Sequence, residues 1–356
     1  MISSACEDIA KFFFNLKYKV FAICIFKSLR LFDYCEKIFT LKKLTNFEIL
    51  KLLNTIDPKK KKEILIGSGF AEKIKERLII SRRTNQGNCF KTLNTINNPI
   101  KMFSLLKENN VSIATSTLKK PTNSKWLIKS SESYGGKLVN FYKFDNQKLR
   151  KNFFFQKFIK GQTITAQFYT KKGKTKLLSI CYQYLSGNLD NPFLLGGIIT
   201  KKLNDDQIKA IERTIKKVSK IFHLNGFNNI DFILQENKIT SLKLIEINPR
   251  PGLSTNIISK LSLNLFKKKN FEKTKFQNPL IIFSTSIIYS KKKVIFNKKK
   301  IEELKKILSI KNFSELPNIN DIIKPWEPIC LLHLKSKSEK IIQNKINQIT
   351  KKIQSL

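Results

Sequence analysis

The chain has 356 residues, 41% of them hydrophobic and 11% aromatic, enough to bury core in roughly two or three globular units and too apolar for a disordered tail. Its formal net charge of +42 would ordinarily point to nucleic acid or an anionic membrane, because Lys and Arg displace counterions from phosphates. Here the seven arginines (Arg30, Arg77, Arg82, Arg83, Arg150, Arg213, Arg250) are swamped by lysine, and Asn, Ile and Phe rise with it, as in the product of an AT-rich coding sequence.

Residues 1–97 read as a small α/β unit: a helix over 4–16, an apolar strand over 18–26, a helix near 46–55 and a strand-turn at 63–70, EILIGSGF. The first strand expected of such a unit is missing. A second unit, 98–260, opens at Asn98-Pro99, where Asn is a good N-cap and Pro suits the first helical position. Strands are expected over 126–129, 138–142, 153–159 and 163–170. The clearest helix is 205–222: Asn204 and Gln207 make a capping pair, Ile208, Ile211, Ile215, Val218 and Phe222 repeat at helical spacing, and Gly226 sits just beyond. A hairpin of 230–234 and 242–248 follows, turning near Lys238 and Ile239. The remainder, 261–356, alternates strands (280–289, 329–334) with helices (299–308, 337–353).

Lysine runs at 59–62, 267–269, 291–293 and 298–300 are scattered instead of forming one stripe with interleaved aromatics, so they read as solvated faces and no specific nucleic-acid partner is expected. The six cysteines form no CxxC pair, and only His223 and His333 could help them hold a metal, so reduced thiols are the expectation. No apolar stretch is long enough to span a membrane, and Glu7 and Asp8 stand where a secretory signal would be positive. A cytoplasmic protein without a membrane partner is expected.

The strongest chemical signal is 244–252, LIEINPRPG, preceded by IDFIL at 230–234. The hairpin puts Asp231 across from Glu246, and the two-residue period of a strand puts Glu246, Asn248 and Arg250 on one face. Two carboxylates, an amide oxygen and a guanidinium then converge, a set suited to Mg²⁺, which takes hard oxygen ligands and shares its shell with phosphates. A solvent-exposed strand face that happens to be acidic would explain the pair alone equally well. Pro249 and Pro251 withhold ladder donors, which argues for a strand terminus or an edge. Upstream, Lys129 ends a strand and is followed by Ser130 to Lys137, SSESYGGK; small residues let backbone N–H groups approach phosphate, though a Gly-Gly hairpin turn is the simpler explanation in isolation. Lys101, one turn into its helix, is a second candidate for a phosphate. At 156–161, QKFIKG, a polar pair enters an apolar strand and then a turn, as an adenine pocket or an ordinary amphipathic strand would have it.

In this order the segments resemble the ATP-grasp superfamily. The resemblance implies an α/β (α+β) ATP-grasp fold: an N-terminal Rossmann-like pre-ATP-grasp domain (1–97), an ATP-grasp domain (98–260) with a phosphate-loop lobe (98–150) and an adenine and metal lobe (151–260), and a small C-terminal α+β region (261–356). It makes Lys101 the first phosphate lysine of the family's Asp-Lys helix, with Ile100 where the Asp stands. Lys129 becomes the strand-end lysine on the nucleotide phosphates, and 131–137, with Ser131, Gly135 and Gly136, the mobile glycine-rich loop. Gln156 stands where the family has the Glu of its adenine strand, followed by Lys157, Phe158 and Ile159. Asp231, Glu246 and Asn248 match the metal ligands, and Arg250 the residue on the transferring phosphoryl group, so Arg250 and Lys129 are the implied catalytic pair. The implied cofactors are ATP and Mg²⁺ (or Mn²⁺).

SSACEDIAKFFFNLKYKV, IGSGF, QGNC, KWLIKSSESYGG and PWEPICLL further resemble a subgroup of ATP-grasp carboligases linked to methanofuran and methanopterin cofactors. The reaction implied activates a small-molecule carboxylate as an acyl phosphate and passes it to an amine, in a protein for which a homodimer is an open option. Two alternatives stand beside it: a polyanion-binding protein with a decayed nucleotide site, and an enzyme of the same fold that carboxylates its substrate.

Overall fold

A computed structural model describes residues 1–75, 77–80, 83–122, 125–143, 150–235, 242–267, 275–307 and 312–356. The expected hairpin turn at Lys238 and Ile239, Lys268 and Lys269, and the expected helix end at 308 lie outside the described residues. The chain packs as two compact units, the first of Met1–Lys43, Gly196–Lys202 and Leu253–Leu356, the second of Leu44–Leu195 and Leu203–Gly252. Residues 44–97 thus pack with the segments that follow them, and 253–260 with both ends of the chain, because strand pairing gathers segments that sequence order separates.

In chain order the elements run α1 (Glu7–Asn15), β1 (Phe21–Cys24), β2 (Lys37–Thr40), α2 (Asn46–Ile56), α3 (Arg77–Ile80), α4 (Phe90–Ile96) and α5 (Pro99–Glu108). Next come β3 (Ser116–Thr117), β4 (Trp126–Ser130), β5 (Val139–Phe141), β6 (Phe153–Lys157), β7 (Gln162–Lys171), β8 (Lys174–Leu185) and β9 (Leu195–Thr200). After α6 (Asp205–Phe222) follow β10 (Gly226–Leu234), β11 (Leu242–Asn248), α7 (Thr255–Leu261), α8 (Leu263–Lys267) and β12 (Ile282–Tyr289). The chain ends with β13 (Val294–Ile295), α9 (Lys298–Ile307), β14 (Phe313–Ser314), β15 (Ile322–Ile323), β16 (Pro328–Ser336) and α10 (Glu339–Gln354). No helix among the described residues is long and apolar enough to cross a membrane.

In the first unit β1 and β2 pair in parallel, and Ile2 makes a one-residue parallel bridge to Ile23 where a leading strand was expected. Cys6, Ala10, Val20, Ala22, Cys24, Leu31 and Tyr34 form the core under them. An antiparallel run β9-β12-β16-β14 carries α10 against β12 and β16.

The second unit holds the antiparallel run β11-β10-β7-β8 and a four-stranded sheet ordered β3-β6-β4-β5. Helix α6 lies against β8 and β7. Its capping box closes as the sequence reads, with Asn204 Oδ1 accepting from Gln207 N at 2.9 Å. Ile211, Ile215, Val218 and Phe222 are buried on one face, each contributing about 1.5–3 kcal/mol. The stop differs from the expectation: His223, at φ +49°, takes the left-handed conformation that ends the helix, and Gly226 begins β10. In α5, Asn98 Oδ1 accepts from Lys101 N at 3.1 Å, the cap expected of Asn98-Pro99. The 63–70 segment forms isolated bridges at Ile64, paired with Asn85, and at Ile66 before turning.

Candidate active site

β10 and β11 pair antiparallel with Asp231 opposite Glu246 and Asn229 opposite Asn248, and β11 lies at the edge of its sheet. Phe232 pairs with Leu244 and Asp231 with Glu246, so Ile245 is an extra residue, a β-bulge. A bulge leaves one backbone group out of the ladder and turns the next side chain. Here the unpaired Ile245 carbonyl accepts from Gln156 Nε2 at 3.1 Å, while Glu246 stays 39% exposed in its side chain.

Asp231 lies on the strand flanked by β7, and Thr165 and Gln183 hydrogen-bond its carboxylate. Burial and the neighbouring Glu246 charge push its pKa up to about 7, against the opposing pull of those bonds and of Lys129. Lys129, at the penultimate position of β4 and buried, donates to Gln156 Oε1 at 3.2 Å and stands 4.0 Å from Glu246 Oε2. Gln156, 2% exposed, also donates to Ser116 Oγ at 3.2 Å. Its side chain therefore faces inward, tying β6 to β11 and holding Lys129.

Arg250 is buried just past β11. Its Nη2 donates to Asn248 Oδ1 at 3.1 Å, its Nη1 to Pro251 O at 3.3 Å and its Nε to Glu72 Oε1. Asn88 secures the same turn from another side: its Nδ2 donates to Pro249 O at 2.9 Å and to Asn228 Oδ1 at 2.7 Å. Glu72 and Asn88 were not among the sequence candidates. Their neighbourhoods, IGSGF and QGNC, stood out only as segments shared with a subgroup, since nothing local reveals a partner 178 or 161 residues away.

The loop after β4 is fastened at both ends. Ser131 N donates to Asn152 O at 2.8 Å, and Leu195 N donates to Gly135 O at 3.0 Å. At Gly136, φ is +76° and a Cβ would fall 1.9 Å from Phe193 O, so no other residue fits. Lys157 and Phe158 are exposed and Ile159 half-buried at the end of β6, and the amides of Lys157 and Phe158 donate to Thr115 O and Lys125 O. Lys101 is exposed on α5; the contacts that join Lys129, Gln156 and Glu246 do not include it.

The donor set suits a divalent cation. Two carboxylates face each other across the hairpin with Lys129 Nζ 4.0 Å from Glu246 Oε2, and burial and the neighbouring Glu246 charge raise the Asp231 pKa. Asn248 adds an amide oxygen, which keeps a lone pair beyond the one Arg250 uses.

The ATP-grasp domain family matches residues 94–254. No curated protein matches the chain in sequence. Among solved structures, an L-amino acid ligase from Bacillus licheniformis superposes with a TM-score of 0.70 at 17% identity, covering 99% of this chain and 96% of that one. A biotin carboxylase from Campylobacter jejuni gives 0.69 at 11%, covering 99% and 94%. An N5-carboxyaminoimidazole synthetase from Staphylococcus aureus gives 0.67 at 10%, covering 98% and 96%. The hairpin, its bulge and the fastened glycine loop lie in the matched region, so residues 94–254 carry an ATP-grasp domain, and the chain as a whole shares the fold of these three enzymes.

Proposed function

We propose that the chain is an ATP-dependent ligase that joins a carboxylate to an amine, forming an amide and releasing ADP and phosphate. The observation that carries this reading is the Asp231–Glu246 pair, aligned across a bulged hairpin with Lys129 4.0 Å from Glu246 and Arg250 bonded to Asn248. In this reading Lys129, Lys101 and the backbone of 131–137 hold the nucleotide phosphates, with Gln156 to Ile159 beside the base. Asp231, Glu246 and Asn248 would hold Mg²⁺ or Mn²⁺, which neutralises phosphate charge when bound. An oxygen of the substrate carboxylate attacks the γ-phosphorus as its bond to the bridging oxygen breaks and ADP leaves. Arg250 steadies the transferring phosphoryl group, since positioning and charge supply most of the rate in such transfers. The amine nitrogen then attacks the acyl carbon, phosphate leaves, and the nitrogen gives up a proton.

The likeness to an L-amino acid ligase supports an amino acid as the activated acid. The segments shared with the methanofuran-linked subgroup make glutamate the first choice, and tyramine or a growing glutamyl chain the first amine. The test is ADP release by the purified protein with Mg-ATP and glutamate, with and without tyramine, and mass spectrometry for the amide. A glutamyl-tyramine product supports the reading. Turnover that answers only to bicarbonate sinks the amide ligase in favour of carboxylation, and turnover with a different amino acid removes the methanofuran link alone.

A further inference from the structure

The GSGFAE turn, 67–72, has no part in the chemistry above, yet it delivers a carboxylate to the arginine on which that chemistry depends. Phe70 and Ala71 are buried and anchor the turn, Ala71 N donates to Gly67 O at 3.1 Å, and Gly69 takes φ +79°, a conformation other residues resist. Both oxygens of Glu72 are engaged: Oε2 accepts from Gly69 N at 2.8 Å and Oε1 from Arg250 Nε. The two side chains are 11% and 9% exposed. A pair so shielded holds its geometry better than a surface pair, and losing one partner leaves the other buried and unmatched. Nε is the guanidinium donor nearest the backbone, so fixing it fixes the plane of the whole fork. Nη2 on Asn248 and Nη1 on Pro251 O hold the other two nitrogens of the fork.

We propose that Glu72 is a positioning residue for phosphoryl transfer: it sets the plane of the Arg250 guanidinium, so that its remaining N–H donors meet the terminal phosphate of the nucleotide. The inference rests on the reading of Arg250 above. Glu72→Gln keeps the size of the side chain but sets an NH₂ group against either Arg250 Nε or Gly69 N, so one of the two bonds is lost. Glu72→Asp keeps the charge and withdraws it by one methylene.

The experiment measures Kd for Mg-ADP and for the non-hydrolysable ATP analogue Mg-AMPPNP by titration calorimetry, in the wild type, Arg250→Ala, Glu72→Gln, Glu72→Asp and the Glu72→Gln/Arg250→Ala double variant. Arg250→Ala is expected to weaken AMPPNP about tenfold with ADP unchanged, the loss of one charge-assisted contact. Glu72→Gln and Glu72→Asp should each weaken AMPPNP about threefold or more, again sparing ADP, and the double variant should be no weaker than Arg250→Ala, because Glu72 has no effect except through the arginine. A purely structural Glu72 would lower the melting temperature and weaken both nucleotides alike. An Arg250→Ala variant with an unchanged ratio, or a wild type that binds neither nucleotide, removes the Arg250 reading and the inference with it. If Arg250→Ala loses the preference while both Glu72 variants keep it, or if Glu72→Gln weakens AMPPNP equally with and without Arg250, Glu72 alone is wrongly assigned. Should Glu72→Gln not fold, Glu72→Asp answers the same question.

Discussion

Asp231 with Glu246 in the second unit, and Glu7 with Glu315 in the first, are both pairs of carboxylates held in surroundings that oppose charge, yet the protein treats them differently. Glu315 N donates to Glu7 Oε2 at 2.7 Å, Glu7 N to Glu315 Oε1 at 2.8 Å, and Ser28 Oγ to Glu7 Oε2 at 2.7 Å. Burial raises the pKa of both, that of Glu315 strongly. This pair is turned inward: backbone amides and Ser28 meet Glu7 Oε2 and Glu315 Oε1, Glu315 Oε2 is buried without a hydrogen-bond partner, and the pair stitches the start of α1 to residue 315, 308 positions away. The Asp231 pair sits across a bulge at a sheet edge with one carboxylate open to solvent. A raised carboxyl pKa thus marks burial in both places, and only the open geometry marks a place for a ligand.

The sharpest way to break this contrast is Glu246→Gln. Removing one carboxylate of the open pair should lower ADP release by about two orders of magnitude and leave the melting temperature within a few degrees, because the side chain is not core. Near-normal turnover would put the open pair in the same class as the inward-turned one. Glu315→Gln should do the opposite, shifting stability while sparing turnover.

A smaller effect is expected from ligand. Mg-ATP at about one hundred times its Kd should add about 2.7 kcal/mol, a rise of a few degrees, which NAD should not reproduce and Glu246→Gln should abolish. An equal rise in that variant would dissociate the carboxylate from the nucleotide.

The pH dependence tests the same contrast. A carboxyl whose pKa is higher folded than unfolded binds its proton more tightly in the folded state, so its contribution is full below the unfolded value and fades as pH rises through the folded one. For Asp231 that window runs from 3.8 to about 7; for Glu315 it begins near 4.5 and extends well above it. Melting temperature should therefore fall as pH climbs from 4 to 8, and Asp231→Asn and Glu315→Gln should each flatten part of the slope. Saturating Mg-ATP should flatten only the Asp231 part. Identical slopes in Glu315→Gln and wild type would mean that Glu315 does not titrate as its burial requires.

What could be read from sequence was local. The bounds and capping box of α6, the Asn98 cap and the Asp231–Glu246 register all follow from spacings of a few residues or one short hairpin. β8 and β9 went unread: KTKLLSICYQYL lacks clean alternation because much of β8 is buried on both faces, and LGGIIT is too short and glycine-rich to announce a strand. The bulge at Ile245 was invisible because it depends on how β10 meets β11. The inward turn of Gln156 depends in turn on that bulge, and the Glu72–Arg250 pair on a fold that brings distant segments together. The Rossmann-like, ATP-grasp and C-terminal divisions followed sequence order, whereas the compact units are assembled from interleaved segments.

The unpaired carbonyl of Ile245 acts mechanically as a coupling. Lys129 is held by Gln156, and Gln156 by that carbonyl, so the lysine cannot slide along its strand without loading β11, which carries Glu246. A pull felt at Lys129 is transmitted toward Glu246 through two hydrogen bonds, and a Gln156→Leu substitution would remove that route while the backbone bonds of Leu244 with Ser112 and Ala114 remain.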